Sequence, residues 1–182
     1  RFENNIRYGD YKFVYMLGTE FAKYSNQTQQ QLFVGNEAIK LNYDTFLSLG
    51  KFAASAQLSK NFVNDRLTLS AGLRTDFNTY SKSMSNPFRQ LSPRISANYV
   101  LTDKWAITAN TGRYYQLPAY TTLGFKDNSG RLVNKDNNLS YIAVNHIIGG
   151  VQYIPRLDVF FSLETFYKGY SRYPFSLRDS IS

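Results

Sequence analysis

The chain has 182 residues, 43% of them hydrophobic and 19% charged, a folded composition with room for one domain. It has no cysteine and one histidine, His146, which excludes disulfides, thiol catalysis, thiolate metal sites and the His-rich clusters of most zinc enzymes. A net charge of +8 beside 15 Tyr, 14 Phe and one Trp suits nucleic acid, carbohydrate or a membrane interface.

Taken in chain order, the pattern has period two. Eight antiparallel strands are predicted at about 1 to 8, 11 to 24, 45 to 62, 66 to 79, 92 to 101, 105 to 116, 146 to 154 and 157 to 169. The fourth is the clearest. Leu67, Leu69, Ala71, Leu73, Thr75 and Phe77 alternate with Thr68, Ser70, Gly72, Arg74, Asp76 and Asn78, so one face is apolar and the other polar. The same split sets Ile95, Ala97 and Tyr99 against Arg94, Ser96 and Asn98, and Phe161, Leu163 and Tyr167 against Ser162, Glu164 and Lys168. Short links fall at Tyr8-Gly9-Asp10, Val63-Asn64-Asp65, Thr102-Asp103-Lys104 and Ile154-Pro155-Arg156. Long polar links alternate with them at Ser25 to Asp44, Ser81 to Leu91 and Leu117 to about Asn145.

That asymmetry separates two all-β architectures. A soluble sandwich buries its apolar face and has no systematic reason to keep every turn on one rim short. Outer-membrane barrels do, and they also put an apolar band outside and polar residues inside. The longest unbroken apolar run, Phe13 to Leu17, is far below the roughly 18 residues of a spanning helix, which leaves strands to cross. The chain begins Arg1-Phe2-Glu3-Asn4-Asn5 with no signal-peptide pattern, so such a peptide is absent or already removed.

Particular residues then resemble a known family. Leu69-Ser70-Ala71-Gly72-Leu73-Arg74-Thr75-Asp76, Leu91-Ser92-Pro93-Arg94-Ile95-Ser96, Gly112-Arg113-Tyr114-Tyr115-Gln116-Leu117-Pro118 and Glu164-Thr165-Phe166-Tyr167-Lys168-Gly169-Tyr170 look like the barrel of TonB-dependent outer-membrane receptors, closest to the Bacteroidota branch. The resemblance implies a barrel of about 22 strands closed by an N-terminal plug. It implies outer-membrane lipid, the plug, the remaining strands, TonB acting through the plug and a surface lipoprotein as partners, in a Gram-negative outer membrane. It implies import of a nutrient ligand with no enzyme chemistry and no cofactor. Thr75 stands where the family often has an aromatic residue. The chain ends Arg178-Asp179-Ser180-Ile181-Ser182 where such barrels usually carry a terminal aromatic residue. With eight strands and no plug segment, residues 1 to 182 are expected to be a contiguous piece of the larger barrel, the alternative being a small complete eight-stranded barrel acting as an anchor or assembly subunit. Pairing of Phe2 to Tyr8 with Val159 to Lys168 would mark that alternative.

Alternation turns Arg74, Asp76, Arg94, Tyr114, Gln116, Glu164 and Lys168 toward the lumen, where they are candidates for plug or ligand contact. For the charged residues a wall network is the plainer role. Tyr115, on the other face, is expected in an interfacial aromatic girdle. His146 lacks metal-ligand partners and a nucleophile elbow, so a structural hydrogen-bonding role is expected. Asp127-Asn128-Ser129-Gly130 lacks the spacing and closing Glu of a calcium loop and reads as a turn. Lys168-Gly169-Tyr170 could open an RNA-binding motif, but Ser171 and Arg172 break it, and no nucleic-acid partner is expected.

Overall fold

A computed structural model describes residues 1–34, 37–127 and 129–174. They form one eight-stranded antiparallel sheet in which each strand pairs with its chain neighbours: β1 Phe2–Tyr8, β2 Tyr11–Val34, β3 Glu37–Phe62, β4 Leu67–Asn78, β5 Ser92–Thr102, β6 Trp105–Gln116, β7 Ile142–Arg156 and β8 Val159–Ser171. Among the described residues no helix is long and apolar enough to cross a membrane.

The expected alternation holds across the sheet. Arg94 sits opposite Gly72 and Gly112, and Ala97 opposite Leu69 and Ala109, so the register keeps polar and apolar residues on separate faces from strand to strand. The apolar face is bare: Leu73 is 48% exposed, Ile95 60% and Ile147 60%. In water an apolar surface of that extent would be a liability, whereas in lipid it is the supporting face. At the short-turn end this face carries aromatic rings. Trp105 stacks on Tyr153 at 4.3 Å between centroids, and Tyr153 on Phe161 at 6.4 Å, a girdle segment at the height where ring edges meet headgroups.

Three expectations are corrected. Ser25 to Asp44, expected as a link, is mostly strand: β2 and β3 run on as a paired ribbon from Tyr11 opposite Lys60 to Val34 opposite Glu37. At 24 and 26 residues they exceed the roughly ten needed to cross a bilayer by about fourteen, about 45 Å of strand. A ribbon beyond the bilayer needs no hydrophobic alternation, which is why its Asn, Gln and Ser content reads as loop. The last short turn lies at Leu157-Asp158 rather than Ile154-Pro155-Arg156, and Pro155 falls where the β7–β8 register shifts between Tyr153 and Arg156. A proline removes a ladder donor and is tolerated at such an irregularity. Strand β7 also begins at Ile142, four residues earlier than expected. The expectation about residues 178–182 lies outside the described residues.

The remaining long links carry short helices: α1 Lys82–Ser85, α2 Tyr120–Leu123 and α3 Val133–Asp136, with a 3₁₀ turn at Pro87–Gln90. Ser81 caps α1 through its side chain, which accepts from the Met84 amide at 3.2 Å, and Asn86 caps the 3₁₀ turn, whose first residue is Pro87. These links build the molecule's compact core, in which Met84 and Leu123 are fully buried with Leu47, Leu49, Tyr80 and Tyr141. Each such apolar side chain contributes about 1.5–3 kcal/mol by burial.

The links have a gap to fill. Pairing of β4 with β5 stops at Arg74 opposite Ser92, and that of β5 with β6 at Arg94 opposite Gly112, while β4 continues to Asn78 and β6 to Gln116. Pairing along β5 thus ends four residues short of where β4 and β6 end on that side, which leaves a notch between its neighbours. Asn78 donates from Nδ2 to the Tyr141 hydroxyl at 2.8 Å, and the Thr75 hydroxyl donates to the Pro87 carbonyl at 2.5 Å, tying both links to the edge of β4.

Candidate functional site

The polar face holds two arrangements of charged side chains, and they differ in whether charge meets its opposite. On β4, Arg74 and Asp76 are two residues apart and therefore on one face. The guanidinium donates to the carboxylate twice, Nε to Oδ2 at 2.7 Å and Nη2 to Oδ1 at 2.6 Å, with both side chains partly buried. The bidentate geometry fixes both side chains and cancels their charge locally. Lys51, on β3, contacts the Glu20 carboxylate and donates to the Tyr120 hydroxyl at 3.1 Å. The contact joins positions 69 residues apart, which strand alternation alone does not bring together.

The second arrangement is a row without carboxylates. Arg94, Gly112, His146 and Lys168 face one another in hydrogen-bonded register across β5, β6, β7 and β8. The Arg94 guanidinium lies over the Tyr114 ring at 4.4 Å, and Tyr114 lies 4.6 Å from the His146 ring, tilted by 30°. Gly112 makes this possible. A Cβ there would come within 3.1 Å of the Arg94 stem and 3.2 Å of the Tyr114 ring, so a larger residue would displace the pair. Lys168 rests its ammonium over the Phe166 ring at 4.9 Å. Cation–π contacts hold a cation in place without neutralising it.

The sequence candidates thus divide. Arg94, Tyr114 and Lys168 share the row, Arg74 and Asp76 form a separate pair, and Gln116 and Glu164 are exposed with no side-chain hydrogen bond among the described residues. His146 is corrected: among the described residues its side chain makes no hydrogen bond, and its ring packs on Tyr114 instead. Tyr115 is corrected as well. It is half-buried against the loop core, with the Arg113 guanidinium 5.4 Å from its ring, rather than standing in a girdle.

Above the row the links close over the polar face. Tyr120 stacks on Tyr24 at 5.3 Å, the Thr45 hydroxyl donates to the Gly124 carbonyl at 2.6 Å, and the Lys126 ammonium donates to the Asp44 carbonyl at 2.6 Å. A Cβ on Gly124 would stand 2.6 Å from the Thr45 methyl, so only glycine allows this approach. Tyr80 donates to the Leu123 carbonyl at 2.6 Å, Ser81 donates to the Leu139 carbonyl at 2.7 Å, and the Asn138 side chain accepts from the Ser83 amide, which locks the two links to each other. Burial pushes the Tyr80 phenol up to about 12. The Tyr141 phenol is also raised to about 12, by burial first and against the opposing hydrogen bond from Asn78. The Asp127 carboxylate is drawn down to about 2 by the Ser129 hydroxyl and the Arg131 backbone amide, with further help from the Arg131 guanidinium and the Ser129 amide. It is a turn-closing group, as the sequence reading had it.

Residues 1–180 match the family model described as TonB dependent receptor-like, beta-barrel. The chain belongs to that family. Its bare apolar face, polar opposite face and girdle are those of an outer-membrane wall, and the protein is located in the outer membrane of a Gram-negative bacterium, in a family of transport receptors. Among solved structures the chain is similar to the copper transporter OprC, with a TM-score of 0.56 at 18% identity, over 84% of this chain and 26% of that one. It therefore spans about a quarter of that transporter's length, and the likeness is one of fold. No curated protein matches it in sequence. Strands β1 and β8 stand at opposite edges of the sheet and do not pair with each other, so the pairing that would mark a closed eight-stranded barrel is not present among the described residues.

Proposed function

We propose that the chain is one stretch of the wall of a larger plugged barrel that imports a nutrient ligand, of the Bacteroidota type. The polar face is its lumen side and the long-link end its extracellular side. The observation that carries this reading is the family match over residues 1–180 together with a sheet whose two edge strands do not pair with each other. Unpaired strand edges in hydrocarbon would cost several kcal/mol per backbone group, which further strands of a larger barrel would remove.

In this reading Arg74, Asp76, Arg94, Tyr114, Gln116, Glu164 and Lys168 line the passage. The Arg74–Asp76 pair is wall structure, since both partners are already satisfied. The row from Arg94 to Lys168 is left to meet what passes. TonB acts on the plug, and this stretch contributes no energy coupling of its own. A surface lipoprotein over the long-link rim belongs to the same reading, as does surrounding lipid.

The test is uptake by cells expressing the full-length protein, with and without a functional TonB, measured for a panel of labelled siderophores, glycans, cobalamin and peptides. Uptake of one class that disappears both without the protein and without TonB is expected. Uptake equal in all three strains would sink the reading.

A further inference from the structure

Lys60 is a charged residue on the lipid-facing side. Counting by two from the register, that side carries no other charge from the girdle up to Lys23 on β2 and Arg113 on β6 among the described residues. A charge facing hydrocarbon is costly and calls for a partner. We infer that Lys60 and Tyr11 form a clasp for the phosphate of a net-anionic phospholipid in the leaflet at the short-turn end, an inference that rests on the proposed orientation of the wall, with that end facing inward.

The height of the charge fits a headgroup. Lys60 stands two residues before Phe62, about 7 Å along the strand from the ring that ends β3, and opposite Tyr11, the first residue of β2. Its ammonium lies over the Phe62 ring at 4.9 Å and over the Tyr11 ring at 4.6 Å, and it donates to the Tyr11 hydroxyl at 2.8 Å. The side chain therefore reaches down into the rings of the girdle, away from the mid-bilayer where its cost is greatest.

The donors that remain fit one anionic group. An ammonium has three N–H bonds, and one goes to Tyr11. The Tyr11 hydroxyl accepts that bond and keeps its own proton to donate. Two donor atoms thus stand 2.8 Å apart, and no ion pair includes Lys60 among the described residues. Adjacent donors suit two oxygens of one phosphate, while the rings hold the cation without neutralising it. A zwitterionic headgroup would bring a second ammonium against Lys60, which favours a lipid with net negative charge.

Above the clasp the same face offers a path for acyl chains. Leu58 and Phe13 are open to lipid, and Ala56 and Ala54 continue the β3 column between Tyr15 and Leu17 on β2 and Leu73 and Thr75 on β4. The two alanines leave a shallow channel between larger neighbours. Cation, hydroxyl and apolar channel follow one another in the order of a phospholipid's own parts, so a lipid gains contacts that free phosphate does not.

The experiment is native mass spectrometry of the full-length protein in detergent, titrated with phosphatidylglycerol, phosphatidylethanolamine, lipopolysaccharide or inorganic phosphate. One site filled by phosphatidylglycerol at lower concentration than by the others is expected. Lys60→Gln should weaken that site by roughly tenfold to a hundredfold, the range of a lost charged hydrogen bond, and Tyr11→Phe by about threefold to tenfold. Lys60→Arg should bind close to wild type. Lys104→Gln, which removes a charge from another short turn at the same end, should bind as wild type does. Each variant's folding is checked by its heat-dependent mobility on a detergent gel. Equal binding by wild type and Lys60→Gln, or an equal loss in Lys104→Gln, overturns the clasp. So does a site that takes phosphatidylethanolamine or inorganic phosphate as tightly as phosphatidylglycerol. Tighter binding of lipopolysaccharide would put Lys60 in the opposite leaflet and overturn it as well. If the clasp fails while TonB-dependent uptake of some solute persists, the import reading stands. If phosphatidylglycerol binds as expected while uptake is TonB-independent, the import reading falls alone.

Discussion

The strand wall and the link-built cover are made from the same chain by opposite means. The wall, β4 to β8, has almost no core of its own: its apolar side chains point out of the protein, and its order comes from register and from the surrounding lipid. The cover has a conventional core around Met84 and Leu123, closed by hydrogen bonds between residues 43 and 63 positions apart. The wall is therefore stable only in a membrane. The cover's stability is that of a small water-facing domain, and its hydrogen bonds have to be made within the protein.

Changes aimed at one region should leave the other standing. The largest effect is expected from Leu123→Ala, which should cost the cover about 2–5 kcal/mol through the cavity it leaves. Limited proteolysis should then cut residues 117–141 rapidly while the β-sheet circular dichroism is unchanged. Equal protection in wild type and variant would mean that the cover has no core of its own. Next, Leu73→Arg puts a charge on the apolar face and should lower folding stability in vesicles by about 2–4 kcal/mol at mid-bilayer, measured by urea titration. The effect should shrink in detergent, and a variant unaffected in both would argue against lipid contact at Leu73. Third, Tyr141→Phe leaves the buried Asn78 Nδ2 with only the weak Met84 sulfur acceptor and should cost about 1–3 kcal/mol, read as faster amide exchange in both links.

Two pH responses within the cover are smaller and opposite in sign. The Tyr80 and Tyr141 phenols are raised to about 12 from the ordinary 10. Their contribution is complete below about pH 10, where the unfolded phenols are still protonated, and is lost as pH rises through about 12. Tyrosinate absorbance should lag for two tyrosines until the cover opens. Asp127 is the reverse case: depressed to about 2, its contribution is present above about pH 4 and disappears as pH falls through about 2. Only the Ser129 and Arg131 amides should report it, by exchange rate. Loss of the whole cover near pH 3 would contradict so local a role.

The wall was legible because lipid imposes a strict rule. With one face in hydrocarbon, Leu67 to Asn78 must alternate, and the polar row at Arg74 and Asp76 follows from counting by two. Where lipid ends, so does the rule. Nothing in the composition of Ser25 to Asp44 distinguishes a paired ribbon from a loop, because what holds it is pairing with a partner strand. The cover was invisible for a related reason: Tyr80, Met84, Leu123 and Tyr141 have no period, and only the three-dimensional path brings them together. At the site, alternation put Arg94, Tyr114 and Lys168 on one face. It could not show that His146 falls in their row or that Gln116 and Glu164 stand apart, since that depends on the register between strands. Gly112 was the one local hint of a close approach.

The low start of β5 between its neighbours sets which surface segments will accept engineering. A tag or epitope placed between Asp127 and Arg131 would lengthen an exposed turn and leave the molecule's outline intact. The same insertion between Ser81 and Leu91 would enter the notch itself, where the segment stands in for missing strand beside Asn78 and Thr75. Trimming there would not shorten a loop; it would open a window in the rim.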